Sequence, residues 1–183
     1  MTANLTVIAG PTAVGKGTVI KHILEHNPQI KLSVSATTRA PRPGEVDGVS
    51  YFFMTKPEFE SKIAQGEMLE WAQVHGDNYY GTPKQPVLDA LNAGQSVILE
   101  IDLQGVRQVR QAWPDAKFIF IAPPSWDELV SRLRGRGTET EEQMTKRLET
   151  AKVELAAESE FDVTVINNEV AECAAKVVEL IQS

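Results

Sequence analysis

The sequence predicts an α/β protein in which a parallel sheet of five strands is flanked by helices. Apolar runs of strand length alternate with runs of helical periodicity along most of the chain. The apolar centres are uninterrupted, which is typical of strands buried on both faces. A glycine-bounded turn at residues 10–15 joins the first strand to the first helix, and such turns lie at the carboxyl edge of a sheet, where α/β proteins bind ligands.

The expected core elements follow one another in chain order. Strands are expected at residues 5–9, 31–36, 96–102, 117–122 and 162–166. One helix follows the glycine-bounded turn, and others are expected at 84–92, 104–113, 125–133 and 170–181. Another, longer helix is indicated by an apolar stripe of Met144, Leu148, Ala151 and Leu155. Ser125 is expected to cap its helix in a capping box with Glu128.

Residues 37–83 break this alternation. They contain a short β run at 49–54, a helix at 57–65, a strand at 68–74 and a final β segment at 79–82. We interpret this stretch as an insertion beside the main sheet. The core is then formed by residues 1–36, 84–133 and 150–183, and residues 134–149, which begin with the basic loop 134–137, are a separate small segment of a single domain that spans residues 1–183.

The composition excludes several classes of protein. The chain has 183 residues with 42% hydrophobic and 23% charged residues, as expected for one globular domain. The net charge of −7 disfavours nucleic acid and anionic membranes as partners. No apolar run is long enough to span a bilayer, no secretory signal is visible, and the single Cys173 excludes an internal disulfide. We therefore expect a cytoplasmic protein, either a monomer or a small homo-oligomer.

The glycine-bounded turn has the spacing of a phosphate-binding loop. Gly10 and Gly15 allow the main-chain N–H groups to converge on a phosphate, and Lys16 adds a positive charge at the helix start. A turn that holds no ligand is the alternative. At Gly17 the usual hydroxyl residue for Mg²⁺ is missing, and the next hydroxyl belongs to Thr18. The predicted loop consists of Gly10, Pro11, Thr12, Ala13, Val14, Gly15, Lys16, Gly17 and Thr18.

A second phosphate site is indicated by Arg39 and Arg42, which lie three residues apart and are braced by prolines. Guanidinium groups bind phosphate in bidentate fashion. A solvated basic turn is the alternative. Tyrosine hydroxyls near this segment are candidate donors to the same phosphate, with ordinary β packing as their alternative: Tyr51, Tyr79 and Tyr80.

Glu70 and Thr82 suggest a mechanism for base selection. A carboxylate in a mostly apolar strand is costly to bury unless a donor binds it. Guanine presents two adjacent donors, N1–H and the 2-amino group, that match a carboxylate, and Thr82 is a candidate donor to its O6. Adenine has an acceptor where guanine has N1–H, so Glu70 disfavours adenine.

Two further charged groups are candidates for the same site. Glu100 and Asp102 lie at a strand end, where they suit Mg²⁺, helix capping or a surface charge. A basic segment contains Arg132, Arg134 and Arg136, with Arg147 further on. These arginines either close over a triphosphate or form a solvated loop paired with acidic neighbours. The histidines share no spacing and are expected at the surface or in packing: His22, His26 and His75.

Over nearly its full length the chain resembles the guanylate kinase family, enzymes that phosphorylate GMP with ATP. The resemblance depends on several separate segments that match the family and follow one another in the same order as in the family: 33–42, 44–51, 70–72, 79–82, 102–106, 120–125 and 134–141. It implies that residues 37–83 are a β-rich GMP-binding insertion and that residues 134–149 are a small helical lid. The chain departs from the family pattern at Gly17, where Ser is usual, and at Asp77, an extra residue in a turn.

The resemblance also implies roles for particular residues. ATP would be bound by the loop and by Arg136, with Mg²⁺ beside it. The departure at Gly17 leaves the Mg²⁺ ligand to Thr18, to water or to Asp102, and we expect the ion to be held mostly through water. The transfer itself would involve Lys16, Arg39, Arg136 and Arg147. The residues implied to bind GMP are Ser35, Arg39, Arg42, Tyr51, Glu70, Tyr80, Thr82 and Asp102.

The predicted reaction is ATP + GMP = ADP + GDP by in-line transfer, and dGMP is a further candidate acceptor. One alternative is an inactive guanylate-kinase-like module that binds proteins, although such modules typically lack an intact phosphate loop. Another is a kinase for a different nucleoside monophosphate, because residues 15–18 resemble the adenylate kinase loop. Glu70 and Thr82 disfavour AMP.

Overall fold

The computed structural model describes residues 3–74, 76–135 and 140–183. In chain order the elements are β1 (Leu5–Ala9), α1 (Lys16–His26), β2 (Ile30–Leu32), β3 (Ala36–Thr37), β4 (Phe52–Phe53), α2 (Lys56–Ala64), β5 (Met68–Val74), β6 (Asn78–Pro83), α3 (Lys84–Asn92), β7 (Ser96–Glu100), α4 (Leu103–Ala112), β8 (Lys117–Ala122), α5 (Trp126–Arg134), α6 (Glu141–Ala156), β9 (Val163–Ile166) and α7 (Val170–Gln182), with a 3-10 turn at Glu158–Glu160.

The main sheet is parallel and has five strands in the order β2-β7-β1-β8-β9. In its centre Val7 pairs with Leu99 on one side and with Phe118 on the other. These residues are almost completely buried because helices cover both faces. The predicted α/β fold with a five-stranded parallel sheet is therefore confirmed.

Successive residues of the central strands point to opposite faces of the sheet and pack in different hydrophobic clusters. Ile8, Ile98 and Ile119 belong to a cluster with residues of α1, α5 and α7. Val7 and Phe118 belong to the other cluster, with residues of α3 and α4. Cys173 of α7 is 2% exposed, and burial raises the pKa of its thiol to about 11, as expected for a packing residue.

The second sheet has four strands in the order β4-β3-β6-β5, and all of its residues except Ala36 belong to the predicted insertion. β3 pairs in parallel with β4 and antiparallel with β6, which pairs antiparallel with β5. The expected β run at 49–54 is shorter, since only Phe52 and Phe53 pair with β3. Helix α2 begins after a complete capping box formed by Thr55 and Glu58.

Two expected strands end early. The run at 31–36 is divided between the two sheets. Ser33 N–H still donates a hydrogen bond to the Ile98 carbonyl of the main sheet, and beyond this residue the chain leaves that sheet. Ala36 then joins the second sheet as part of β3. The strand at 96–102 ends at Glu100, because Asp102 has become the N-terminal cap of α4.

The expected capping box at the start of α5 is only half formed. The Ser125 hydroxyl accepts a hydrogen bond from the Glu128 N–H, but the Glu128 carboxylate binds Arg132 one turn later. The Glu128 carboxylate is therefore paired with the Arg132 guanidinium, whereas a complete capping box requires it to accept a hydrogen bond from the Ser125 N–H. Among the helices of the described residues, none combines the length and the apolar character needed to cross a membrane.

Candidate nucleotide site

A cleft of about 450 Å³ lies at the carboxyl ends of β1 and β7. Both the main sheet and the insertion contribute to its walls, and α6 contributes Glu154. The polar side chains that line it are Lys16, Ser33, Ser35, Ser50, Tyr51, Glu100, Asp102 and Glu154. An edge that gathers the ends of parallel strands is the expected position for a ligand in this class of fold.

The glycine-bounded loop connects β1 with α1 along the edge of this cleft. Gly15 has a φ of 89° and Ala13 a φ of 64°, so the loop curves through left-handed conformations. Gly10 has no room for a side chain, because a Cβ there would collide with the Ile121 carbonyl oxygen. The helix that follows begins at Lys16, and the first N–H groups of a helix have no acceptor within it. The loop therefore offers main-chain donors and a lysine to an anion.

The loop is supported from behind by two side chains. Asn167 donates a hydrogen bond from Nδ2 to the Val14 carbonyl at 2.8 Å. Arg132 donates from Nη1 to the same carbonyl at 3.2 Å and to the Asn167 carbonyl at 3.1 Å. Arg132 thus binds the loop rather than closing over it, contrary to the sequence-based expectation.

Asn167 was not a candidate from the sequence. It is 2% exposed, and its Oδ1 has no hydrogen-bond partner among the described residues. One signal was available, since Asn167 directly follows the last strand of a parallel sheet, a position where polar residues gather at the site.

The carboxylates near Lys16 occupy different positions. Glu100 Oε1 lies 3.9 Å from Lys16 Nζ. Asp102 lines the cleft, and its Oδ1 accepts a hydrogen bond from the Gly105 N–H at 2.8 Å. Capping, one of the alternatives left open for this pair, therefore occurs at Asp102. Among the described residues, no group of three or more His, Cys, Asp or Glu is arranged to hold a metal ion.

Arg39 is held by a carboxylate of the insertion. Its Nη1 and Nη2 donate to Glu45 Oε2 and Oε1 at 3.0 and 2.8 Å, and the Arg42 N–H donates to Oε2 at 2.7 Å. The hydrogen bond from Arg39 lowers the pKa of the Glu45 carboxyl. Glu45 lies in one of the segments that resemble the family, 44–51, but is not among the site residues predicted from the sequence.

The aromatic residues around Arg39 differ in their roles. The Arg39 guanidinium lies 5.4 Å from the centre of the Tyr51 ring, and Tyr80 contacts Tyr51 edge to face. Tyr79 instead stacks on Phe59 at 5.2 Å, and its hydroxyl donates to Glu60. Packing, the alternative considered for these tyrosines, therefore accounts for Tyr79.

Glu70 and Thr82 are joined to each other in a buried pair. Thr82 Oγ1 donates to Glu70 Oε1 at 2.6 Å, and the two residues are 0% and 7% exposed, respectively. Burial raises the pKa of Glu70 to about 7, and the negative charge of Asp102 contributes. Gly105 makes room for this carboxylate, because a Cβ there would lie 3.0 Å from Glu70 Oε2.

The strand that carries Glu70 is fastened to α4 by Gln108. Its Oε1 accepts from the Trp71 N–H at 3.0 Å, and its Nε2 donates to the Trp71 carbonyl at 2.8 Å. β5 is an edge strand, so these main-chain groups have no strand partner on that side. The side chain of Gln108 takes the place of a neighbouring strand.

The predicted residues are only partly brought together. Ser35, Tyr51 and Asp102 line the cleft with Lys16, whereas Glu70 and Thr82 are buried beside the start of α4. Arg147 lies partly buried on α6. Thr18 is exposed on α1, and the predicted residues Arg136 and His75 lie outside the described residues. His22 and His26 stack on each other at 4.3 Å on α1, away from the cleft lining.

Known proteins resemble this chain along its whole length. The family model described as Guanylate kinase matches residues 2–183. A guanylate kinase of Leifsonia xyli is 59% identical over 97% of this chain and 70% of its own length. A guanylate kinase of Thermobifida fusca is 57% identical over 97% of this chain and 90% of its own length. The crystal structure of guanylate kinase from Anaplasma phagocytophilum has a TM-score of 0.73 at 30% identity, covering 100% of this chain and 86% of that one.

Proposed function

The chain belongs to the guanylate kinase family, and from this premise we propose how its own residues perform the transfer. The reaction is the ATP-dependent phosphorylation of GMP to GDP, so the protein is an enzyme and a kinase. None of the relatives described above is named as a protein-binding module or as a kinase for another nucleoside monophosphate.

The donor half of the proposed site is the loop from Gly10 to Thr18. Its main-chain N–H groups and Lys16 bind the ATP phosphates, because converging N–H dipoles and an ammonium group compensate their negative charge. The contacts of Val14 with Asn167 and Arg132 support this role by holding the loop in place. Arg136 would add positive charge from the lid.

The acceptor half recognises GMP by its base and its phosphate. Ionised Glu70 accepts hydrogen bonds from guanine N1–H and the 2-amino group, with Thr82 beside it. Arg39 and Arg42 bind the phosphate, and Glu45 supports this assignment because it holds the Arg39 guanidinium in one orientation. The remaining proposed GMP ligands are Ser35, Tyr51, Tyr80 and Asp102.

Mg²⁺ fits this site as an ion shared with the nucleotide. It usually takes one or two carboxylates together with phosphates and water, and Asp102 and Glu100 supply carboxylate oxygens at the cleft. Gly17 supplies none, so we propose that Asp102 or Thr18 holds the ion mostly through water. When bound, Mg²⁺ neutralises charge on the phosphates.

Transfer needs no protein base, because the accepting GMP oxygen is already anionic. The proposed role of Lys16, Arg39, Arg136 and Arg147 is to align the two phosphates and to stabilise the charge that spreads over the transferred group. We propose that these roles are divided among three segments of the chain: a core, a GMP-binding insertion at 37–83 and a lid at 134–149. We further propose that the enzyme acts in the cytoplasm on free nucleotides, without nucleic acid or membrane partners, as a monomer or small homo-oligomer.

One observation carries this assignment of roles: the first turn of α4 touches both halves. Asp102, its cap, lines the cleft with Lys16 of the donor loop. Gly105, three residues later, makes room for the Glu70 carboxylate of the acceptor half. A donor phosphate and a guanine base held at these places would lie on either side of a single helix start.

Acceptor selectivity tests the assignment. ADP formation from ATP and Mg²⁺ is measured with GMP, dGMP, AMP, UMP and TMP as acceptors. We expect turnover with GMP and little with AMP, because adenine places a lone pair against Glu70. No turnover with any acceptor would contradict the enzyme, and a preference for AMP would contradict the role of Glu70.

A further inference from the structure

Helix α6 is attached to the donor loop by a carboxylate. Glu154 Oε2 accepts a hydrogen bond from the Thr12 main-chain N–H at 2.8 Å. Glu154 lies partly buried in the cleft wall, close enough to Lys16 and Asp102 to feel both charges. The two bonded residues are 142 positions apart, so this contact joins distant parts of the chain.

The position of this carboxylate is electrostatically unfavourable for ATP binding. A negative charge beside the loop repels the ATP phosphates, and burial already disfavours its ionised form, raising the pKa of Glu154. The burial of Glu154 and its repulsion of the ATP phosphates must therefore be offset by a favourable interaction. The hydrogen bond from the Thr12 N–H is such an interaction, because a hydrogen bond to an ionised acceptor is about twice as strong as a neutral one.

Glu154 and Arg147 lie on the same face of α6. They are seven residues apart, which is close to two helical turns and about 10 Å along the axis. Arg147 is partly buried and makes interactions of its own. A bond that holds the helix at Glu154 therefore also determines how far Arg147 stands from the donor loop.

We propose that Glu154 is a positioning residue for phosphoryl transfer, which fastens α6 to the Thr12 main chain and so places Arg147 beside the transferred group. This inference depends on the proposed function, because it assigns Arg147 to the reaction. It gives Glu154 no contact with the reacting atoms.

Substitutions at Glu154 separate this role from simple folding. In Glu154→Ala we expect kcat with GMP to fall by about 10- to 100-fold, as for the loss of one charge-assisted hydrogen bond, with KM for GMP nearly unchanged. Glu154→Gln keeps a neutral oxygen acceptor for Thr12, which forms a weaker hydrogen bond, and should recover part of kcat. Glu149→Ala is the matched control, since it removes the same charge from an exposed position of α6. Thermal unfolding of all three variants checks that they fold.

A double-mutant cycle with Arg147 tests the mechanism directly. If Glu154 acts through Arg147, adding Glu154→Ala to Arg147→Ala should cause little further loss of kcat. Additive losses would overturn the proposal. It would also be overturned if Glu154→Ala lowered KM for ATP without changing kcat, since Glu154 would then only compete with the ATP phosphates. Absence of turnover in the wild type would instead contradict the proposed function, and this inference with it.

Discussion

At the scale of single residues, the most consequential side chain is the carboxylate of Glu70. It is buried in an environment that favours its protonated form, with a pKa of about 7 instead of about 4.5. The guanine recognition that we propose for Glu70 needs the opposite form, because only the ionised carboxylate accepts both base donors. On this proposal the residue carries a stability cost for the sake of base selection.

The pH dependence of stability follows from this cost. A group whose pKa is raised by folding stabilises the protein below its unfolded pKa, and this contribution is lost as the pH rises through about 7. Glu70→Gln has no charge to bury and keeps an acceptor for Thr82. We expect the variant to gain stability over the wild type as the pH rises from about 5 to 8, by up to about 3 kcal/mol. Urea unfolding at several pH values measures this difference.

The matched control is Glu149→Gln, which neutralises an exposed carboxylate. Its stability relative to the wild type should change little over the same range. In the wild type, KM for GMP should also fall as the pH rises through about 7, since Glu70 becomes ionised. A stability difference that does not depend on pH would contradict the burial of a titrating Glu70.

At the scale of elements, the insertion is joined to the core where β5 lies against α4. Gln108 forms two hydrogen bonds with the main chain of Trp71, next to Glu70. The joint thereby places the Glu70 carboxylate, which we propose recognises the base, relative to the start of α4. The donor loop has a separate support, formed by Asn167 and Arg132.

Removing the joint should therefore affect one substrate only. In Gln108→Leu, which loses both hydrogen bonds but keeps the side-chain volume, we expect KM for GMP to rise by about 10-fold, as for a small shift of Glu70. KM for ATP should change less than about 2-fold, because the loop is held elsewhere. Steady-state kinetics with each substrate varied in turn provide the measurement.

Gln111→Leu is the control for this variant, because Gln111 is exposed one turn later on the same helix. It should leave both KM values at the wild-type level. If Gln108→Leu raised both KM values equally, the joint would serve general packing rather than the placement of Glu70.

The accuracy of the predicted elements also varied for physical reasons. The limits of α3 and β8 were predicted to the residue, since glycine and proline punctuate the sequence there. The division of residues 31–36 between two sheets was not predicted. Both halves have the local pattern of a strand, and only the available pairing partners, Ile98 or Gly81, distinguish them.

At the scale of the whole molecule, the cleft is lined by residues far apart in the chain. Lys16 begins α1, Tyr51 belongs to the insertion, and Glu154 lies on α6. We expect the two substrates, bound in the half-sites proposed above, to draw these parts together, so that binding of one favours binding of the other.

Thermal unfolding with ligands tests this arrangement. GMP or a non-hydrolysable ATP analogue, each at about 100 times its Kd, should stabilise the fold by about 2.7 kcal/mol, or roughly 5–10 °C in Tm. With both present we expect a shift at least as large as the sum. A shift no larger than that of the tighter ligand alone would show that both compete for one site and would contradict two half-sites.

The sequence by itself determined the five-stranded parallel sheet and the glycine-bounded loop. The alternation of strand-like and helix-like runs and the spacing of the glycines are local properties of the chain, so no distant contact is needed to recognise them. It also indicated the polar residues that gather at one sheet edge. Only the tertiary structure decided that Arg39 is held by Glu45, that Arg132 supports the loop and that Glu154 binds Thr12. The physical reason is that partners, burial and hence charge state depend on which distant residues meet: Arg132 and Val14 are 118 positions apart, and no local pattern records their contact.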